Sequence, residues 1–363
     1  MNHNAIKLML CLLVAIPTIS AQDFVKTGSH KLPLPQNCGF FYDGVQVLDW
    51  ESHEAVALLY RETRTICIYD LIKKNLLKCL QYDAEGPNGV GYEVAGFWIE
   101  SPEEIYLYSY WEFSIFKVNS SGEVKAKWKL PVDAINIPII ELGTSTPLLK
   151  LGDEIVMSGS IFSLEGKPVK APFVNLNVNN GSIRCSGVTP ENMLENYYGQ
   201  GSILHYAYAE DKNYFIVEFG ASNSVYLMRG ATTFERLAKS KYIDQILPLC
   251  TIPCRKKITT EMSIRQYAAG GYLGVRYDCY NQCYYRFVAL PGEVSAIERG
   301  EMLHQSVILL DLNLNVKGEH ELPYGSITEL AFVTKEGLMI PNITSYQNEN
   351  DNFLYFDVYN FSK

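Results

Sequence analysis

The chain has 363 residues, 47% hydrophobic and 20% charged, with 40 acidic against 31 basic side chains and a formal net charge of −9. That length is ample for a large core and suits one big β architecture or two ordinary domains. An acidic balance argues against nucleic acid and anionic lipid as partners, since both attract basic surfaces.

The N-terminus sets the expected compartment. Lys7 precedes an apolar stretch from Leu8 to Ile16, Pro17 breaks it, and Thr18-Ile19-Ser20-Ala21 supplies small residues before Gln22. This is the order of a secretory signal peptide, and the stretch is too short to span a bilayer. Residues 1–21 are therefore expected to be removed, leaving 22–363 as a single exported domain in the periplasm or at the cell surface. Leu10 before Cys11 makes a poor lipobox, which argues against a lipid anchor. No later segment is apolar for long enough to be a transmembrane segment.

Tyrosines (25) and phenylalanines (16) interleave with Val and Ile, a composition that favours strands. The strand signals arrive in groups. The first is 44–50, 55–60, 64–70 and 76–82; the second is 93–99, 104–109, 113–118 and 123–130. Each ends alike, a strand running into Asp70 or Asn119, then a short turn with Asn75 or Gly122, then a returning strand. A third group spans 147–151, 154–159, 173–178 and 182–186, and a fourth 202–209, 213–219, 224–229 and 233–238. Residues 241–262 read as a connector with a short helix at most. The fifth group is 264–269, 271–277, 284–290 and 306–311, closing through Asn313-Leu314-Asn315 into 315–321, with a helical insertion between Glu293 and Leu303.

The last group, 327–333, 337–341 and 353–359, has only three strands, while residues 23–32 belong to no earlier group. Repetition at a spacing of about fifty residues points to an all-β, six-bladed β-propeller of four-stranded antiparallel blades. An N-terminal strand should close it, Phe24-Val25-Lys26 pairing with 353–359, since an unpaired seam would expose backbone donors and acceptors. Two β-sandwich domains are the structural alternative.

The runs at 68–91 (IYDLIKKNLLKCLQYDAEGPNGVG), 284–291 (YYRFVALP), 306–323 (SVILLDLNLNVKGEHELP) and 334–342 (TKEGLMIPN) resemble the domain of unknown function 4221 family. The resemblance covers nearly all of the chain after residue 21, in order. It implies an exported, propeller-like protein of the envelope of Bacteroides-type bacteria, and it carries no established activity and no assigned catalytic residues. Many such relatives look like lipoproteins, a pattern from which Leu10-Cys11 departs.

Candidate chemistry is sparse. Gly86-Pro87-Asn88-Gly89-Val90-Gly91 lacks the Lys-Ser/Thr ending of a phosphate loop and reads as an inter-blade turn, with Asn88 the candidate to face a ligand at a channel mouth. Eight cysteines follow residue 21: Cys38, Cys67, Cys79, Cys185, Cys250, Cys254, Cys279 and Cys283. Hairpin geometry makes Cys279–Cys283 and Cys67–Cys79 candidate disulfides, with buried thiols, or a zinc site on 250/254/279/283, as alternatives. If the hairpin centres on Asn281, Arg276 opposes Arg286 and Asp278 opposes Tyr284, all on one face. Two facing arginines call for an anion, supplied by Asp278 or by a ligand.

Trp111 and Tyr198 sit among polar or turn residues and are candidate aromatic faces for a sugar, although aromatic alternation in strands also serves blade packing. His30, His53, His205, His304 and His320 are scattered without metal-binding or nucleophile motifs. No cofactor, no metal and no catalytic residue is assigned. The leading expectation is a non-catalytic propeller that binds an envelope protein or a glycan. The alternative is a propeller enzyme acting on a carbohydrate or lactone, with a metal or carboxylates in the channel.

Overall fold

In a computed structural model describing residues 24–131, 137–163, 166–230, 232–251 and 258–361, each strand group closes into one four-stranded antiparallel sheet. Blade 1 runs Gly44–Trp50, His53–Tyr60, Thr65–Asp70 and Asn75–Gln81; blade 2 runs Val94–Ser101, Glu104–Ser109, Ser114–Val118 and Val124–Lys129. Blade 3 comprises Leu149–Leu151, Glu154–Met157, Phe173–Asn177 and Ile183–Ser186, and blade 4 Leu204–Ala209, Tyr214–Phe219, Ser224–Arg229 and Thr232–Leu237. Blade 5 is Gly271–Asp278, Cys283–Ala289, Gln305–Leu310 and Val316–Glu321. Residues 1–21, expected to be a signal peptide, lie outside the described residues.

Burial follows position in the blade. Thr65–Asp70 and Gln305–Leu310 are buried at every residue, because neighbouring blades cover both faces. The outermost strands Val124–Lys129 and Thr232–Leu237 meet solvent and carry the charges, which also protects their free edges from pairing. The recurring Asp/Asn has a physical job. Asp70 Oδ1 accepts from the backbone N–H groups of Ile72 and Lys73, and Asn119 Oδ1 from those of Ser121 and Glu123. Asn177 and Asp311 repeat the arrangement in blades 3 and 5. Each caps the turn between the third and fourth strands with donors that would otherwise lack partners.

Two elements differ from expectation. Of residues 264–269, expected as a strand, 264–268 belong to the helix Thr260–Ala268: Thr259 caps it by accepting from Met262 N, Arg265 pairs with Glu261 at 2.7 Å, and Gly270 at φ 79° ends it. The first strand of blade 6 is only Phe332–Thr334, preceded by a 3-10 turn at Thr328–Leu330.

Blade 6 holds Phe332–Thr334, Gly337–Pro341 and Phe353–Phe361, and its fourth strand is Phe24–Pro33. The closing ladder runs from Phe24 opposite Phe361 to Pro33 opposite Phe353, with a bulge between Lys26 and Gly28. Phe24 is fully buried, its ring 5.6 Å from those of both Tyr285 and Tyr359, so the seam also grips blade 5. Phe24→Ala is expected to cost about 3–5 kcal/mol in urea unfolding. A loss within experimental error would show that the seam does not support the ring.

Candidate functional site

The hairpin of blade 5 fixes the site, and its register differs from expectation by one residue. Asp278 opposes Cys283, Tyr277 opposes Tyr284, Arg276 opposes Tyr285 and Val275 opposes Arg286. The turn holds four residues, Cys279 to Gln282, with Gln282 in the left-handed region at φ 52°. A one-residue shift moves side chains to the other face. Arg276 and Arg286 therefore point to opposite faces and need no shared anion, and Cys279 and Cys283 are not opposed as a bridge requires. Asp278 caps the turn, accepting from Tyr280 N, Asn281 N and the Tyr285 hydroxyl. The Tyr284 ring lies tilted against that of Tyr277, and its hydroxyl contacts that of Tyr214.

Arg286 lies between blades 4 and 5 and is fully buried. Its Nε donates to Glu218 Oε2 at 2.7 Å, its Nη1 to the Ala238 and Asn223 carbonyls, and its guanidinium sits 3.3 Å over the Tyr272 ring. Glu218 is equally buried. Burial alone would raise its pKa, but the Arg286 charge and the His205 contact outweigh that and hold the carboxyl below the usual range. Glu218 Oε1 faces His205 Nδ1 at 3.2 Å. The buried pair thus fixes one edge of the His205 ring and leaves the other for a cavity.

That cavity, about 440 Å3, lies where the innermost strands of blades 4 and 5 begin, and is lined by His205, Glu329, Tyr197, Leu249, Gln266 and Tyr267 among others. The helix Thr260–Ala268 forms one wall through Ser263, Gln266 and Tyr267. Glu329 Oε2 accepts from Gln305 Nε2 at 3.2 Å. Burial raises its pKa against the opposing effects of that bond and of the His205 and Arg276 charges. The lining is mostly apolar with few polar groups, the usual composition of a small-molecule site. Among the described residues no three His, Cys, Asp or Glu side chains converge as a metal site.

Arg276 works elsewhere. Its Nε donates to the Ala331 carbonyl at 2.8 Å, its Nη2 to the Glu329 carbonyl at 3.0 Å and to Ser145 Oγ at 3.3 Å. Thr144 also donates to the Glu329 carbonyl. These bonds join blades 3, 5 and 6 across the centre of the ring. Burial lowers the Arg276 pKa to about 10, which leaves it charged at neutral pH. Arg276 also borders a second cavity of about 320 Å3, lined by inner strands of all six blades at Val45, Phe97, Leu149, Tyr206, Arg276 and Phe332.

The remaining sequence candidates are dispersed. Trp111 is 67% exposed on the turn after the second strand of blade 2, packed edge-on against Tyr110. Tyr198, expected at the surface, is buried and lines a third, more polar cleft of about 680 Å3 that shares Ile246 with the His205 cavity. Asn88 accepts from Val124 N at 3.2 Å and ties the inter-blade turn to the edge of blade 2. Cys67 and Cys79 are cross-strand partners with their sulfurs 3.1 Å apart.

His205, Glu218 and Glu329 were not singled out in the sequence. For the first two a signal existed: His205 and Glu218 are paired in the hairpin of blade 4, a His and a Glu facing each other within otherwise apolar strands. Arg286→Met leaves the Glu218 charge buried beside only His205, and is expected to cost about 3–5 kcal/mol in urea unfolding. Adding Glu218→Gln should recover part of that; equal losses in both proteins would mean the charge pair is not what Arg286 supplies. Glu329 gives a pH test. Its raised pKa means stability is full below the ordinary glutamate range and is lost as pH rises through the raised value. Glu329→Gln should therefore melt above the unsubstituted protein at about pH 8 and match it at about pH 4. A difference that is absent or reversed at the higher pH contradicts a raised Glu329 pKa.

The family model "Domain of unknown function (DUF4221)" matches residues 23–321. A crystal structure of a DUF4221 member from Bacteroides vulgatus ATCC 8482 superposes with a TM-score of 0.78 at 19% identity, covering 94% of this chain and 98% of that one. A Bacteroides fragilis NCTC 9343 protein named "Putative exported protein" superposes with a TM-score of 0.58 at 11% identity, covering 95% and 97%. At these identities the likeness shows the fold. No curated protein matches. The length and position of the family match, over a six-bladed ring that its solved member shares, lead to one assignment: the chain belongs to the DUF4221 family.

Proposed function

We propose that the chain is an exported protein of the bacterial envelope that binds a glycan fragment, without catalysis, at the mouth over blades 4 and 5. The observation that carries this reading is the His205 imidazole, fixed by the buried Glu218–Arg286 pair and bordering the same 440 Å3 cavity as Glu329. Polar groups held rigid at the wall of an apolar cavity give orientation to a ligand at low cost in entropy. Tyr267, 50% exposed, and Tyr197 offer ring faces to a sugar, and His205, Glu329 and Gln266 offer partners to its hydroxyls. The adjoining cleft, with Tyr198, Asn192, Glu235 and Gln245, gives room for further sugar units. Export is supported by the Leu8–Ile16 stretch and by the name of the Bacteroides fragilis neighbour. No helix of the described residues is long and apolar enough to cross a membrane.

A thermal-shift screen with a glycan panel, followed by calorimetry of any hit, tests the reading. A binding glycan should lose at least about tenfold in affinity with His205→Ala and with Tyr267→Ala, the loss of one buried contact each. A panel with no hit, or a hit indifferent to both substitutions, would refute it. The His205–Glu218 arrangement also suits a general base, which favours the alternative of an enzyme acting on a carbohydrate or lactone. Turnover of a panel member, followed by NMR and abolished by His205→Ala, would establish that alternative.

A further inference from the structure

We propose that Cys38, Cys67 and Cys79 form a thiol–disulfide exchange site in which Cys67 alternates between two partners, one choice stapling the ring's seam to blade 1. Cys67 lies on the third strand of blade 1, fully buried, with Cys79 directly opposite on the fourth strand and their sulfurs 3.1 Å apart. Cys38 belongs to the connector between the closing strand Phe24–Pro33 and blade 1, and its sulfur is 3.9 Å from that of Cys67. Cys79 is exposed and Cys38 half-buried, so both outer sulfurs are open to small reagents while the shared one is not. A structural bridge needs two cysteines; a third within reach of the same sulfur makes exchange possible.

The chemistry balances. A disulfide oxidant such as glutathione disulfide takes two electrons and two protons from the Cys67 and Cys79 thiols, forming the 67–79 bridge and two glutathione thiols. The Cys38 thiolate then attacks Cys67 Sγ; the 38–67 bond forms as the 67–79 bond breaks, and Cys79 leaves as a thiolate. No net oxidation occurs in that second step. In the reduced protein, the sulfur contact with Cys67 lowers the pKa of both Cys38 and Cys79, whereas the same contacts and burial raise that of Cys67. Thiolate therefore forms on the outer sulfurs, where a nucleophile and a leaving group are needed.

The two bridges differ in consequence. The 67–79 bridge closes 12 residues within one hairpin, already held by its own ladder. The 38–67 bridge closes 29 residues and ties the connector, and through it the closing strand, to blade 1. The longer loop removes more freedom from the unfolded chain and should stabilise more.

The test uses the full chain in glutathione redox buffers, with thiols trapped by alkylation and bridges mapped by mass spectrometry. Trypsin cuts after Lys31, Arg61, Arg64, Lys73 and Lys78, which leaves the three cysteines on separate peptides. Cys38→Ser should accumulate the 67–79 bridge, Cys79→Ser the 38–67 bridge, and the unsubstituted protein both, 67–79 first. Oxidation should raise the melting temperature of Cys79→Ser more than that of Cys38→Ser. Absence of the 38–67 bridge from Cys79→Ser, at a redox poise that fully bridges Cys38→Ser, overturns the proposal. So does an unsubstituted protein that holds only one bridge at equilibrium, which keeps the test independent of how well either variant folds.

Discussion

Carrying a carboxylate into the interface between two β-blades is costly unless a cation or hydrogen-bond donors go with it, and the Glu218–Arg286 pair is where this protein meets that cost with a cation. Each strand supplying the pair is otherwise apolar: Tyr214–Phe219 contributes Glu218, and Cys283–Ala289 contributes Arg286. The guanidinium spends its remaining donors on the Ser222, Asn223 and Ala238 carbonyls of blade 4 and its border. One side chain thus satisfies the backbone of a neighbouring blade as well as its charge. The free oxygen of Glu218 reaches His205, so the element that locks blade 4 to blade 5 also sets the angle of the imidazole. Packing and site share one interaction.

The centre of the ring follows the same economy with different atoms. Propeller blades radiate, and the space between their innermost strands must be filled, hydrated or used. Here Arg276 and Thr144 bond to backbone carbonyls of the Thr328–Leu330 turn and its flank, drawing blade 6 toward blades 3 and 5. Tyr42 adds a bond to the Leu330 carbonyl. A short helical turn in place of a longer first strand brings those carbonyls inward, which accounts for the brevity of Phe332–Thr334. The Glu329 backbone belongs to this closure while its side chain borders the His205 cavity.

Most of the architecture was legible in the sequence because its causes are local. Alternation, continuous apolar runs and Asp/Asn turn caps mark the strands of blades 1 to 5, and the three-strand deficit of the last group revealed the closing strand. Residues 264–269 read as a strand because Ile264 and Tyr267 suit one, and the cap at Thr259 that decides for a helix lies outside that window. The register of 271–289 was missed by one residue because the length of a turn containing Gln282 at positive φ is not written in its composition. That single residue separates two arginines sharing an anion from two arginines with unrelated tasks. Glu329 was invisible for a different reason: it reaches the cavity from blade 6, more than a hundred residues from His205, and only the closed ring brings them together.

The closing strand also sets an order of events. Thr27 donates to the Val358 carbonyl across 331 residues of chain, and the whole Phe24–Pro33 ladder pairs at comparable separations. Each other blade is a meander whose strands follow one another in sequence and can form from local contacts. Contacts of such long range pay their loop-closure entropy only when the intervening chain is already compact. The seam is therefore the last part of the ring to form and the natural first to open. Until it forms, the edge of Phe353–Phe361 is an unpaired strand rich in aromatics, able to accept the same segment from a second molecule as readily as its own.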